Sequence, residues 1–285
     1  MRSISFIGAG RLCTTLATLL DRNGQSVIAV ASRTAAKAQG LAASLRDCRC
    51  SSLAEAARAD LVFITVPDDD IDAVTRSLEW HPGQWVVHCS GATEVSALDS
   101  AARSGASTGG FHPLQSFSDP IRAIDILAGS TVAIEASGSL ETYLYELARL
   151  LALHPIRLPA GARALYHGGA SFSATFLLTM LDESLATWKS FGVDEADALR
   201  ALLPVARGNL EAAAGKGLST ALAGPIVRGD TKVVARHLSA LQALSPERAR
   251  LYRDMAQRQV DLAVRGGRLD ALKEDAMRRV IQAGN

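Results

Sequence analysis

Through residue 157, short runs rich in Val, Ile and Phe alternate with segments whose apolar residues recur every three or four positions. This is the pattern of parallel strands joined by helices that cover both faces of a sheet. Residues 3–7, 26–31, 60–66, 84–89 and 130–135 predict strands, with a weaker one near 46–50. Helices are predicted over 11–22, stopped by Asn23-Gly24, over 52–58 and over 140–153. From Leu158 the strand signal disappears and Ala- and Leu-rich helical segments follow one another. Residues 166–188 read as the longest helix, apolar on nearly every face. Asp194 opens another that Pro204 should kink or divide, Asp230 should cap a helix over 231–244, and Ser245-Pro246-Glu247 starts one more. The expected organisation is an α/β Rossmann-type doubly wound sheet over 1–157 followed by an all-α dimerisation and substrate domain over 158–285.

The first strand breaks into Gly8-Ala9-Gly10 and resumes as a helix at Arg11-Leu12. In a dinucleotide site the first glycine makes the turn and the second lets the main chain approach a pyrophosphate. The helix then aims its free N–H groups at that anion. Cys13 stands at the third small position, where such turns carry Gly or Ala. The second strand ends in Ser32-Arg33-Thr34, which offers a cation and hydroxyls to a 2′-phosphate where an NAD site would place an acidic residue. NADP is therefore the expected cofactor, the other reading being a solvated Arg33 beside a Thr34 helix cap. Val66, Pro67 and Asp68 close a buried strand whose carboxyl end should border the nicotinamide, and Asp68, Asp69 and Asp70 are expected to cap the next helix. Ser90 and Gly91 lie at the equivalent edge one strand later. Residues 109–117, Gly109-Gly110-Phe111-His112-Pro113-Leu114-Gln115-Ser116-Phe117, read as a loop that aims His112 through the extended backbone preceding a proline.

Composition narrows the classes. A net charge of +1 removes the electrostatic case for nucleic acid. No apolar run is long enough to span a bilayer, and the first apolar run is a short strand rather than a leader, so a cytoplasmic setting is expected. Cys13, Cys48, Cys50 and Cys89 have neither zinc nor disulfide spacing, and no metal site is expected.

With these residues the chain resembles the NADP-binding reductases of the 6-phosphogluconate dehydrogenase-like superfamily, most closely the Rossmann-like family with a carboxy-terminal DUF2520 domain. The likeness rests on Gly8-Ala9-Gly10 with Ser32-Arg33, on residues 110–117, and on Gly224-Pro225-Ile226 with Arg228-Gly229-Asp230. It implies a cofactor in the first domain, a small-molecule substrate between the domains and a homodimer built on the helical half. Pyrroline-5-carboxylate reductase, ketopantoate reductase and prephenate dehydrogenase share the architecture more distantly. Thr175 stands where many members carry asparagine, and Ser171 where related hydroxyacid dehydrogenases carry a catalytic lysine.

Proton transfer must then come from another group. Histidine titrates near neutrality, which makes His112 and His167 the candidate donors, although each could equally bond a backbone carbonyl. Ser90, Thr175, Gln115 and Ser116 could orient a substrate polar group, and Arg228 could clamp a carboxylate or pair with Asp230. The expected activity is NADPH-dependent reduction of a small oxo acid or imine. An inactive NADP-binding sensor is the alternative raised by the missing lysine, and a methyltransferase ranks behind both because Arg33 replaces the acid that would hold an unphosphorylated ribose.

Overall fold

The computed structural model describes residues 2–283 and divides into two compact units, residues 1–174 and 175–285. In the first, elements follow in the order β1 (Ser3–Ile7), α1 (Arg11–Arg22), β2 (Ser26–Ala31), α2 (Ala35–Ala43), β3 (Arg49–Cys50), α3 (Leu53–Ala56), β4 (Leu61–Ile64), α4 (Ile71–Arg76), β5 (Trp85–His88), α5 (Asp99–Arg103), β6 (Ser107–Pro113), α6 (Pro120–Ile126), β7 (Thr131–Glu135), α7 (Gly138–Leu150), β8 (His154–Arg157) and α8 (Arg163–Ser173). They build an eight-stranded sheet of order β3-β2-β1-β4-β5-β6-β7-β8. Neighbouring strands are parallel except β6 and β7, which run antiparallel. The order turns outward from β1 on one side and β4 on the other, which opens a crevice at their carboxyl ends.

Strand alternation supplies a core on each face. Phe6 and Phe63 stack with ring centroids 5.1 Å apart and join Leu16, Leu20, Leu140 and Leu144 beneath α1 and α7. Ile7, Val62 and Ile64 point the other way and join Ala56, Ile71, Leu98 and Ala101 beneath α3, α4 and α5. Ser52 starts α3 with a reciprocal cap: its hydroxyl accepts from the Glu55 N–H while the Glu55 carboxylate accepts from the Ser52 N–H.

Three features of this unit differ from the sequence reading. Residues 107–113 form strand β6, so His112 sits on the sheet and not on a loop. Two adjacent glycines lower strand propensity, but here the neighbouring strands on both sides supply the pairing. Residues 154–157 add strand β8, whose Pro155 is tolerated at the edge of the sheet. The helix expected over 166–188 is two helices that part at Ala174, where ψ is −94°. Ser171 and Ser173 donate back to the carbonyls of His167 and Ala170, a competition with the backbone ladder that bends or ends helices. The division between compact units falls at this break, which leaves α8 in the first unit.

The second unit is helical: α9 (Thr175–Lys189), α10 (Glu195–Lys216), α11 (Leu218–Ala221), α12 (Pro225–Arg228), α13 (Thr231–Leu244), α14 (Pro246–Arg265) and α15 (Ala271–Gln282). Its core, including Ile226, Val234, Leu238, Val260, Met277 and Ile281, is assembled from α12 to α15. By contrast α9 buries no residue and α10 only Ala198. α10 runs past Pro204 without dividing, and Asp230 precedes α13 without a side-chain cap because its carboxylate takes Arg228 at 2.8 Å. No helix among the described residues is long and apolar enough to cross a membrane.

The turn after β1 leaves no room for a side chain against the main chain of the neighbouring strand end. Gly8 has φ +112°, and a Cβ there would lie 2.5 Å from the carbonyl carbon and oxygen of Thr65. Gly8→Ala is expected to lower unfolding free energy by about 2 to 4 kcal/mol, from combined backbone strain and overlap. Gly24→Ala, at φ +77° in open space, serves as a control near ~1 kcal/mol. Urea unfolding of the whole chain measures both.

Candidate active site

The carboxyl ends of β1, β4, β5 and β6 bring together most of the residues singled out by sequence. Gly8, Ala9 and Gly10 turn into α1, whose N-cap Gly10 offers no side-chain cap and whose first turn, beginning Arg11-Leu12, contains no acidic residue. The Thr65 hydroxyl donates to the Gly8 carbonyl at 2.8 Å and locks the turn against β4. This cradle suits a dinucleotide: the main chain at Gly8 is bare where a Cβ would collide, and the helix N-terminus is free of competing anions. Cys13 is fully buried in the core below, its thiol pushed up to about 12 by burial, and it acts as a small apolar residue.

At the end of β2, the Ser32 hydroxyl accepts from the Thr34 N–H at 3.2 Å and the exposed Arg33 guanidinium pairs with Asp70 at 2.8 Å. Asp68 accepts from the Ser90 hydroxyl at 2.7 Å. Neither carboxylate caps the helix that follows, which corrects the sequence reading: each has a partner far along the chain. Val66 and Pro67 lie between these contacts, at the same edge as Gly8.

Ser90 is a buried hub. Its N–H donates to His88 Nδ1 at 3.2 Å, its hydroxyl accepts from the Ala92 and Thr93 N–H groups, and its carbonyl accepts from Arg163 at 2.7 Å. Arg163 is 0% exposed, and its Nε donates to the Glu135 carboxylate at 2.7 Å. The guanidinium occupies the space over Gly110 where a side chain would stand. Burial and the nearby Arg163 charge push the His88 ring down to about 3, which leaves it a neutral structural acceptor.

His112 and His167 meet at this place, ring centroids 5.9 Å apart and nearly perpendicular. Tyr166 joins them, its hydroxyl 2.9 Å from His112 Nδ1. Gly91 fits beneath the pair, since a side chain there would overlap the His167 ring and the Nε2 edge of His112. Burial, reinforced by His167 and Arg163, pushes His112 down to about 4. Burial pushes the Tyr166 phenol up.

Arg163 and Tyr166 escaped the sequence reading. The signal that marks them is periodicity: 163, 166 and 167 share one face of α8 at spacings of three and four, a polar face on a segment that otherwise reads as apolar. Within the first unit, Gln115 and Ser116 are not brought into this cluster. Gln115 spends its amide on Ser130, on the Ile126 carbonyl and on the Ser116 N–H, and the Ser116 hydroxyl lies 3.4 Å from that of Ser118. Thr175 opens α9 in the second unit, and Arg228 is held there by Asp230. Among the described residues no group of His, Cys, Asp and Glu has the arrangement of a metal site.

His88 and His112 both titrate below their unfolded value near 6.5. The unfolded chain therefore takes up protons first as pH falls. The contribution of these two rings to stability is complete above pH 6.5 and is expected to be lost from there down to about pH 4 for His112 and about pH 3 for His88, by up to about 1.4 kcal/mol per pH unit for each ring. His112→Gln should reduce that slope by roughly one proton's share in urea titrations across the same window.

Comparison with known proteins adds the following. Residues 1–113 match the model of a Rossmann-like domain, and residues 130–259 match the domain of unknown function DUF2520. No curated protein matched the chain. Among solved structures, a protein from Thermotoga maritima is 21% identical with a TM-score of 0.78, covering 93% of this chain and 99% of its own. A Bacteroides fragilis protein to which NADP oxidoreductase activity has been ascribed is 25% identical with a TM-score of 0.70, covering 90% and 97%. A reductive aminase from Aspergillus terreus, in complex with NADPH and ethyl-5-oxohexanoate, is 21% identical with a TM-score of 0.67, covering 97% and 98%. The two matched domains account for most of the sequence, and the chain belongs with the Rossmann-like proteins that carry a DUF2520 domain.

Proposed function

We propose that this protein is an NADPH-dependent oxidoreductase that reduces a small oxo acid or imine. The observation that carries the reading is the juxtaposition, at one sheet edge, of a bare glycine turn on a free helix N-terminus with the His112, Tyr166 and His167 cluster. The similarity to structures of an ascribed NADP oxidoreductase and of a reductive aminase bound to NADPH supports the same class.

Gly8, Ala9, Gly10, Arg11 and Leu12 would hold the pyrophosphate, and Ser32, Arg33 and Thr34 the adenosine end. Val66, Pro67, Asp68 and Ser90 would border the nicotinamide. When bound, the reduced nicotinamide supplies a hydride. The chain's own residues must receive the developing charge on the substrate heteroatom, and the polar edges nearest are those of His112, Tyr166 and His167. Ser90 contributes by fixing Asp68 and the loop under the cluster.

The Arg33 guanidinium, engaged by Asp70 through one nitrogen, keeps its other donors for a 2′-phosphate. Arg33→Ala is expected to weaken NADPH binding by about tenfold to hundredfold, the worth of a charge-assisted contact of roughly 1.5 to 3 kcal/mol, with little change for NADH. Fluorescence titration with the two cofactors measures this, and an equal loss for both removes the 2′-phosphate assignment.

A homodimer through the helical unit accompanies the proposal. Leu178, Phe191, Val205 and Leu210, on α9, α10 and the turn between them, are each more than half exposed, while the core of that unit lies in later helices. Apolar surface of this extent on consecutive helices fits burial against a second copy. Light scattering at micromolar concentration should report twice the chain mass, and a stable monomer would refute it.

A further inference from the structure

The cluster holds three groups that could pass a proton to substrate, His112, Tyr166 and His167, and the bonded pair His112 and Tyr166 allows two distinct roles. His112 is enclosed: Tyr166 meets its Nδ1 edge at 2.9 Å, His167 stands edge-on 5.9 Å away, and the Gly91 main chain lies against its Nε2 edge. The charged groups facing it are Arg163, itself tied to Glu135, and Asp68, tied to Ser90. With its ring held down to about 4, His112 is uncharged at neutral pH and has a single N–H. Tyr166 is half-buried on α8, and its phenol, pushed up by burial, keeps its proton.

A neutral imidazole and a phenol can share one hydrogen bond in two ways. Either the phenol donates to Nδ1 and has nothing left to give, or Nδ1–H donates to the phenolic oxygen and leaves the hydroxyl proton free. We propose that the second arrangement operates: Tyr166 is the proton donor of the reduction, and His112 is a positioning residue that holds its oxygen through Nδ1–H. The inference rests on the oxidoreductase reading. As the substrate carbon accepts hydride, the C=O electron pair moves onto oxygen, and that oxygen takes the Tyr166 hydroxyl proton. The phenolate left behind is stabilised by the His112 N–H and by the Arg163 charge, and regains a proton from water after product leaves. A neutral imine nitrogen would take the same proton as hydride reaches its carbon, so the couple serves the carbonyl and the imine case alike.

Two measurements on the full chain test this. In ¹⁵N-histidine spectra, His112 should be the Nδ1–H tautomer, and Tyr166→Phe should shift its Nδ1 resonance. The Nε2–H tautomer, or no change in Tyr166→Phe, overturns the assignment. In parallel, NADPH binding is followed by fluorescence and NADPH oxidation is followed with glyoxylate and cyclohexanone as probes. Tyr166→Phe should lose about 10² to 10⁴ in rate with NADPH affinity unchanged. His112→Asn, which keeps an N–H donor, should retain more activity than His112→Ala. The wild-type rate should show no histidine titration between pH 5.5 and 8. Normal turnover by Tyr166→Phe, a rate that titrates near pH 6.5, or NADPH binding without reduction of either probe overturns the inference while the cofactor reading stands. Failure of the wild type to bind NADPH overturns both.

Discussion

The arrangement at the sheet edge depends on one buried cation. Arg163 is wholly removed from solvent, and an arginine in that position is tolerable only because Glu135 and the Ser90 carbonyl receive it at 2.7 Å each. Glu135 belongs to β7 and Ser90 to the loop after β5, so a single side chain ties α8 to two separated parts of the sheet. Tyr166 and His167 follow Arg163 on the same helical face, which means that the position of the whole cluster is set by that tether. Removing either partner would leave a bare charge in the interior, a far larger cost than the pair itself contributes in net stability.

Electrostatics in the cluster flow from the same fact. The Arg163 charge helps hold His88 and His112 neutral while easing formation of a phenolate at Tyr166. Three titratable rings therefore stand close together without mutual repulsion at neutral pH. Among the described residues, Asp68 is the carboxylate whose charge opposes that effect at His112, and it is held by the Ser90 hydroxyl.

Much of this was legible in the sequence where local rules suffice. The glycine turn, α1, β2 and the helical second half were read directly, because their signals are periodicity and turn chemistry. The failures share a cause. β6 read as a loop because Gly109-Gly110 is poor in strand propensity, yet Gly110 lacks a side chain precisely where Arg163 arrives from 53 residues further along. Asp68 and Asp70 looked like helix caps because acids at a helix start are locally favourable, whereas their partners are Ser90 and Arg33. Tyr166 looked like part of an apolar face. Its role became visible only when the fold brought β6 beside α8.

The fit of Arg163 over Gly110 also shapes how such a chain can change over time. A methyl group at 110 would collide with the guanidinium, and any shorter residue at 163 would open a void beside an abandoned Glu135. Neither position can be altered alone at small cost, and no single nucleotide change repairs both. The two sites are coupled: a change at either is expected to cost stability unless the other, and with it Glu135, changes too.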